Sequence, residues 1–225
     1  MFYKLGMQSF YGPSFLTDIA ELDNKMLSYT KKYWDIYSNS NLDYIFSSDV
    51  WFEEREDFSE KFLNTSRISH KETKGFELIQ GAETFKGKLL GGCLESLYSI
   101  IASDESREQK DICKNYNIFP NKEEWKEKIL FIETSEMRPS PSEYKKMLVA
   151  LKHKEIFSSI NAIIVGKPQN EIYYEEYKKV LKTVIDNPHL PILYNVNFGH
   201  SYPRCIVPYG IEIEYNHSKK KIFFK

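Results

Sequence analysis

Short buried strands alternating with helices occupy the second half of the sequence. Residues 129–132, 162–166 and 191–196 are continuous apolar runs rich in isoleucine, leucine and valine. Between them lie two helical patterns, 141–151 with proline in its first turn and 170–185 with amphipathic spacing. Strands that are apolar on both faces and alternate with helices are typical of a parallel or mixed sheet covered by helices. The pattern therefore predicts an α/β fold.

The remaining segments give weaker patterns. Residues 8–13 predict a short strand with no neighbour to pair with, and helical spacing follows from Thr17, with residues 38–41 as its end. Residues 42–74, which include Trp51, predict an irregular excursion with one or two short strands. The runs 75–81 and 85–90 predict two paired strands joined by a short turn, and the alternation over 211–224 predicts an antiparallel hairpin.

Composition limits the partners of this chain. The 41% hydrophobic content suffices for a packed core. Since 31 basic residues nearly cancel 32 acidic ones, there is no electrostatic reason to expect nucleic acid or an anionic membrane as a partner. No apolar run approaches the ~18 residues that cross a bilayer, and residues 1–10 lack a signal-peptide core. Three cysteines without metal-ligand spacing fit a reducing compartment, so we expect a cytoplasmic protein with no metal or cofactor.

Two residues stand where an α/β fold presents its chemistry. Glu95 follows Gly91-Gly92 and falls in the first turn of a predicted helix, where the helix dipole favours a carboxylate. His200 follows a buried strand and a glycine, at the end of the strand where open α/β sheets bind ligands. Each has an ordinary structural explanation alone, as a helix-stabilising glutamate and a loop histidine. Together they predict a carboxylate and a general base.

No serine in the sequence has the context of a nucleophile, because no Gly-x-Ser-x-Gly elbow is present. Cys93 is an alternative nucleophile, since a helix N-terminus lowers a thiol pKa, although it also fits as a small side chain in a tight turn. Trp51 either stacks on a ligand or covers the sheet. Glu133 lies at the carboxyl edge of the sheet, where it either contacts substrate or caps the next helix.

Five motifs along the whole chain resemble, in their order, the LD-carboxypeptidase family, and most closely its microcin-immunity branch of MccF-like serine peptidases. They are Tyr11-Gly12-Pro13, Gly91-Gly92-Cys93-Leu94-Glu95, Leu130-Phe131-Ile132-Glu133, Ile163-Ile164-Val165-Gly166 and Phe198-Gly199-His200. Cys93 falls where many members have asparagine. The Gly-Thr that commonly follows the glutamate helix is replaced by residues 115–121.

The resemblance implies a serine on an N-terminal domain, and a glutamate and a histidine on a C-terminal swivelling β/β/α-type domain. On that basis residues 1–16 are a remnant of the nucleophile domain that contributes a stray strand, 17–41 a helical linker and 42–225 the C-terminal domain with a mixed sheet. Glu95 and His200 match the catalytic pair, and Trp51 falls where relatives place a tryptophan near the nucleotide end of the substrate. The implied substrate is a muropeptide or a peptidyl-nucleotide, and the intact family implies a homodimer.

Three functions remain open at this point. The first is the triad-completing part of a serine carboxypeptidase, inactive alone and active only beside a separate N-terminal half. The second is a non-catalytic binding or dimerisation domain. The third is a cysteine hydrolase that uses Cys93 with His200.

Overall fold

The structure is a computed structural model that describes residues 2–39, 43–102 and 107–225. Its main feature is an eight-stranded mixed sheet flanked by helices. The strands are β1 (Phe10–Tyr11), β2 (Tyr44–Phe46), β3 (Val50–Phe52), β4 (Ser69–Lys71), β5 (Glu77–Gln80), β6 (Thr84–Cys93), β7 (Lys128–Glu133), β8 (Ala162–Gly166), β9 (Ile192–Val196), β10 (Val207–Pro208), β11 (Glu212–Asn216) and β12 (Lys221–Phe224). The α-helices are α1 (Ser28–Asn39), α2 (Leu94–Ile101), α3 (Arg107–Asn115), α4 (Pro141–His153) and α5 (Tyr174–Ile185).

The large sheet has the order β2-β12-β11-β6-β7-β8-β9-β5. Its four central strands, β6 to β9, run parallel, and the outer strands pair antiparallel, which confirms the predicted mixed sheet. Alternate residues of β7 enter two separate cores: Leu130 and Ile132 pack with α4 and α5, while Ile129 and Phe131 pack on the opposite face with Tyr33 of α1. Burial on both faces explains why the central strands are continuous apolar runs.

Several predicted elements are confirmed, and the local sequence explains their bounds. Helix α4 begins with a capping box in which Ser140 and Glu143 satisfy each other's backbone donors. Helix α5 begins at Tyr174, four residues later than predicted. The predicted C-terminal hairpin is the antiparallel pair β11 and β12.

The predicted pairing of residues 75–81 with 85–90 is wrong. Strand β5 pairs with β9 at one edge of the sheet, whereas β6 pairs with β7 and β11 near its middle. Side-chain contacts hold β5 beside α5, because Glu77 accepts a hydrogen bond from Lys178 Nζ at 3.1 Å. Both edges of β6 are already occupied.

The N-terminal segment also differs from the prediction. The α-helix starts at Ser28 rather than near Thr17, and residues Phe15–Ile19 form a single π-helical turn. Glu21 is buried and pairs with Arg55 and Arg67, so it serves an ion-pair cluster rather than a helix. Strand β1, predicted to lack a partner, pairs with β10. The predicted end of the linker at residue 41 lies outside the described residues.

Within the described part of the chain, no helix combines the length and the apolar character needed to span a bilayer.

Candidate functional site

The site lies at the carboxyl edge of the parallel strands. Glu133 is the last residue of β7, and His200 lies in the loop that follows β9. The Oε2 atom of Glu133 accepts two hydrogen bonds from His200, one from the backbone N at 3.0 Å and one from Nδ1 at 2.8 Å. Its Oε1 atom accepts a hydrogen bond from the Tyr11 hydroxyl. This buried carboxylate, only 2% exposed, therefore has donors on both oxygens.

Two glycines allow this close approach. A β-carbon at Gly166, on the strand between β7 and β9, would lie 2.7 Å from the Glu133 Cβ. A β-carbon at Gly199 would lie 2.3 Å from the Glu133 Cγ, and Gly199 has a φ of +89° that other residues rarely adopt. The contact between Glu133 and the imidazole therefore requires a glycine directly before His200.

The carboxylate determines the state of the imidazole. The hydrogen bond and the negative charge of Glu133 raise the pKa of His200 above its ordinary 6.5, although partial burial opposes the shift. Because Nδ1 donates to Glu133, the neutral ring carries its lone pair on Nε2. That nitrogen lies 3.2 Å from Oε2 of Glu136, an exposed carboxylate at the mouth of the site. His200 can therefore take up a proton through Nε2 while Glu133 stabilises the resulting cation.

A cavity of about 610 Å³ opens in front of the imidazole. Its lining is formed by β1, the end of β6, helix α2, the loops after β7 and β9, and the residue that follows β10. It consists of Tyr11, Gly91, Gly92, Cys93, Glu95, Ser96, Leu97, Ile100, Ser135, Glu136, His200 and Tyr209. The described residues contain no cluster of three or more metal-ligating side chains.

Glu95 lines this cavity but does not contact His200. Its Oε1 accepts hydrogen bonds from Ser135 N at 2.8 Å and Ser135 Oγ at 2.7 Å. The expected pairing of Glu95 with His200 is therefore not the one in the structure, where Glu133 takes that position. The reason is strand order: β7 is two strands from β9, or ~10 Å, whereas β6 is three strands away, or ~14 Å.

The environment of Cys93 disfavours a thiolate. Burial, together with the negative charges of Glu133 and Glu95, raises the pKa of the Cys93 thiol to about 12. The position at the N-terminus of α2 does not compensate for these effects. The structure therefore contradicts the expectation of a lowered thiol pKa, on which the cysteine hydrolase hypothesis rests.

Trp51 lies outside the lining of this cavity. It belongs to the small β3–β4 sheet, where its ring stacks on His70 with the centroids 4.2 Å apart. The buried Lys167 Nζ lies 5.2 Å from the Trp51 ring centroid. The next residue, Phe52, donates its backbone N–H to the Tyr202 carbonyl at 2.9 Å, so this sheet is attached to the loop that carries His200.

A buried carboxylate that orients an imidazole, with the second ring nitrogen facing a cavity, is the arrangement found at general-base sites that activate hydroxyl nucleophiles. The chain belongs to the LD-carboxypeptidase family: the family profile for the LD-carboxypeptidase C-terminal domain matches residues 86–215. That range includes both Glu133 and His200.

Individual relatives extend the similarity beyond this domain. The chain is similar to an MccF-like protein from Streptococcus pneumoniae solved in complex with AMP, with 45% identity, a TM-score of 0.96, and coverage of 100% of this chain and 65% of that one. It is 26% identical to a putative carboxypeptidase of Treponema pallidum, over 97% of this chain and 58% of the relative. It is 24% identical to the microcin C7 self-immunity protein MccF of Escherichia coli, over 99% of this chain and 60% of the relative. The chain thus spans about three fifths of the length of these curated relatives.

Proposed function

We propose that this chain is the carboxylate- and histidine-bearing part of a serine carboxypeptidase of the LD-carboxypeptidase or microcin-immunity type, and that it is inactive alone. The observation that carries the proposal is the buried Glu133, whose Oε2 holds both His200 Nδ1 and the His200 backbone N. We assign the carboxylate role to Glu133 and the base role to His200. Glu95 holds the Ser135 end of the cavity wall through two hydrogen bonds.

The geometry suits amide hydrolysis by an activated hydroxyl. A serine oxygen placed at Nε2 would lose its proton to His200 as it attacks the amide carbonyl, and Glu133 would stabilise the imidazolium. The same proton would pass to the departing nitrogen when the carbon–nitrogen bond breaks, leaving an acyl ester. Water, deprotonated in turn by Nε2, would cleave that ester and regenerate the serine. No metal or cofactor takes part in this scheme.

The serine is proposed to come from outside this chain. In the described part of the chain no hydroxyl is hydrogen-bonded to His200 Nε2, whose neighbour is Glu136. Exposed apolar side chains near the N-terminus, with Phe2 at 52%, Phe15 at 69% and Leu16 at 72%, fit a surface that a separate N-terminal half would cover. A homodimer of the completed enzyme in the cytoplasm is part of the same proposal.

For the substrate, the relatives favour a peptidyl-nucleotide over a muropeptide. The S. pneumoniae relative was solved with AMP, and MccF was solved with glutamyl sulfamoyl guanosine and with aspartyl sulfamoyl adenosine. Trp51 is the residue we assign to the nucleotide end, because its half-buried ring lies on a sheet attached to the His200 loop. With a peptidyl-nucleotide as substrate, the proposed role is antibiotic immunity. With a muropeptide as substrate, it is peptidoglycan turnover.

The test joins this chain to the part of the S. pneumoniae relative that it does not cover. We expect the joined protein to hydrolyse aspartyl sulfamoyl adenosine faster than an L,D-tetrapeptide, and the chain alone to hydrolyse neither. His200→Ala and Glu133→Gln should abolish or strongly reduce hydrolysis, whereas Glu95→Gln, which makes the same charge change in the same cavity, should retain more. A folded joined protein that binds AMP but hydrolyses neither substrate would contradict the proposal.

The alternative is a non-catalytic binding or dimerisation domain. The same exposed N-terminal apolar side chains favour it, because they also fit an interface between copies. Sedimentation of the chain alone and titration with AMP separate the two: a stable dimer that binds AMP, with no hydrolysis after joining, supports the alternative.

A further inference from the structure

A buried amide side chain outside the carboxylate–imidazole pair connects the loops around the site. Gln169, 3% exposed, follows β8 in a short 3₁₀-helix. Its Nε2 donates to Glu54 Oε2 at 2.9 Å and to the backbone carbonyl of His200 at 3.2 Å. Its Oε1 accepts from Arg138 Nε at 2.8 Å. One amide thus joins the loop after β3, the loop after β7 and the loop that carries His200.

The backbone around Gln169 is held in an unfavourable conformation. Asn170, Glu171 and Tyr173 have φ values of 53°, 56° and 56°, in the left-handed region that residues other than glycine seldom occupy. Such conformations persist only where the surroundings enforce them, and they cluster at functional sites.

The contacts that enforce this conformation come from Lys167 and Asn170. Lys167, whose side chain is 1% exposed, pairs with Glu72 at 2.9 Å and with Glu171 at 2.6 Å. Asn170 Oδ1 accepts from the Glu54 backbone N at 2.9 Å. These bonds fix the backbone on both sides of Gln169. They thereby place the Gln169 amide where it donates to the His200 carbonyl.

His200 is consequently held at both ends of its own backbone. Its N–H donates to Glu133, and its carbonyl accepts from Gln169. We infer that Gln169 is a positioning residue that fixes the His200 loop so that Nδ1 meets Glu133 and Nε2 faces the cavity. The inference deepens the proposed function and rests on it for its catalytic meaning, but its geometric content can be tested in the chain alone.

The test uses nuclear magnetic resonance of the full 225-residue chain. Gln169→Met keeps the length of the side chain and removes the donor to His200. The expected result is a downward shift of the His200 titration midpoint toward 6.5 and a rise in the exchange rate of the His200 amide. That rise is roughly five- to tenfold, the factor that corresponds to the net contribution of one hydrogen bond.

Asn170→Gly is the matched control. It removes a neighbouring hydrogen bond to the same loop at Glu54 and relieves a left-handed residue, but it touches no atom of His200. We expect it to shift the His200 midpoint and to speed amide exchange much less than Gln169→Met does, because the Gln169 amide itself still donates to the His200 carbonyl. Equal shifts in both variants would reduce Gln169 to a structural role and overturn the inference.

A second variant keeps the inference falsifiable if Gln169→Met does not fold. Arg138 is only half-buried, and Arg138→Met removes the partner of Gln169 Oε1 from the opposite side, so a folded protein with a smaller shift in the same direction is expected. An unchanged His200 midpoint in a folded variant overturns the inference. A shift observed alongside an inactive joined protein supports the positioning role and counts against the proposed function, so the two failures are distinguishable.

Discussion

Replacing Glu133 by glutamine keeps the shape of the side chain and removes its charge. His200 makes two hydrogen bonds to Oε2, at 2.8 and 3.0 Å. Hydrogen bonds to charged groups contribute about 1.5–3 kcal/mol and neutral ones about 0.5–1.5 kcal/mol, so the two bonds together lose about 2–3 kcal/mol. Because 34% of the His200 side chain is exposed, solvent screening lowers the expected loss to about 1–2 kcal/mol.

The pH dependence follows from the direction of the His200 shift. Glu133 raises the folded-state pKa of His200 above 6.5, so the stabilisation is fully present below pH 6.5 and is lost as the pH rises through the folded-state pKa. Glu133→Gln should therefore lower the free energy of unfolding more at pH 5.5 than at pH 9. The His200 pKa itself should fall toward 6.5, since burial then opposes protonation and only the exposed Glu136 still favours it.

Urea unfolding at the two pH values and a proton titration of the His200 ring measure both effects. Glu95→Gln is the control, because it makes the same charge change in the same cavity without a bond to His200. If Glu95→Gln moves the His200 midpoint as far as Glu133→Gln does, the assignment of Glu133 as the orienting carboxylate is refuted.

Three further changes test other parts of the site. Gly199→Ala places a carbon 2.3 Å from the Glu133 Cγ at a left-handed φ, and thermal unfolding should show a loss of stability of about 3 kcal/mol or more. The control Gly6→Ala, with φ +67° but open space around it, should lose about 1 kcal/mol. Equal losses would exclude the close contact between residue 199 and Glu133. Cys93, with a pKa of about 12, should react with iodoacetamide at pH 8 roughly 30- to 60-fold more slowly than a thiol of pKa 9, because the lower thiolate fraction is partly offset by greater nucleophilicity, and rapid labelling would contradict this. Lys167→Met leaves the buried Glu72 without its cation, whereas Glu171 keeps Lys74, and should cost about 3–5 kcal/mol in urea unfolding. Lys126→Met, at an exposed pair, should cost less than about 1 kcal/mol; similar losses would show that the Lys167–Glu72 pair is not buried in solution.

The elements that local sequence determines were predictable. Apolar runs long enough for one strand fixed the type of β7, β8 and β9, and the Ser140 capping box marks the start of α4. The pairing of the strands was harder to predict from the sequence. Strand β5 follows the hairpin pattern in sequence, but it pairs with β9 and is joined to α5 through Glu77 and Lys178, and local spacing does not encode contacts between such distant segments.

Choosing between Glu95 and Glu133 as the partner of His200 also required the order of the strands, which the sequence does not show. Glu133 ends β7, and Glu95 lies two residues past the end of β6 in the first turn of α2, so each has the local context of a site carboxylate. Only the strand order shows that Glu133 is nearer to the His200 loop, and Gly166 on the intervening strand, together with Gly199, leaves room for the contact. The position of His200 at the carboxyl edge of the sheet was predictable, because a glycine and a buried strand precede it. Gln169 gave no sequence signal, since its contacts join four separate loops.

The Glu133 carboxylate serves two distant parts of the chain at once. One oxygen receives the Tyr11 hydroxyl from β1, and the other receives His200. Burial and the Glu133 charge keep the pKa of Tyr11 well above 10, so its hydroxyl remains a donor. If β1 moves away, Oε1 loses its donor and the carboxylate becomes a stronger acceptor for the imidazole. By thermodynamic reciprocity, protonation of His200 then weakens the hold on β1. The attachment of β1 and the pKa of His200 are therefore thermodynamically coupled through Glu133, so a change in one shifts the other.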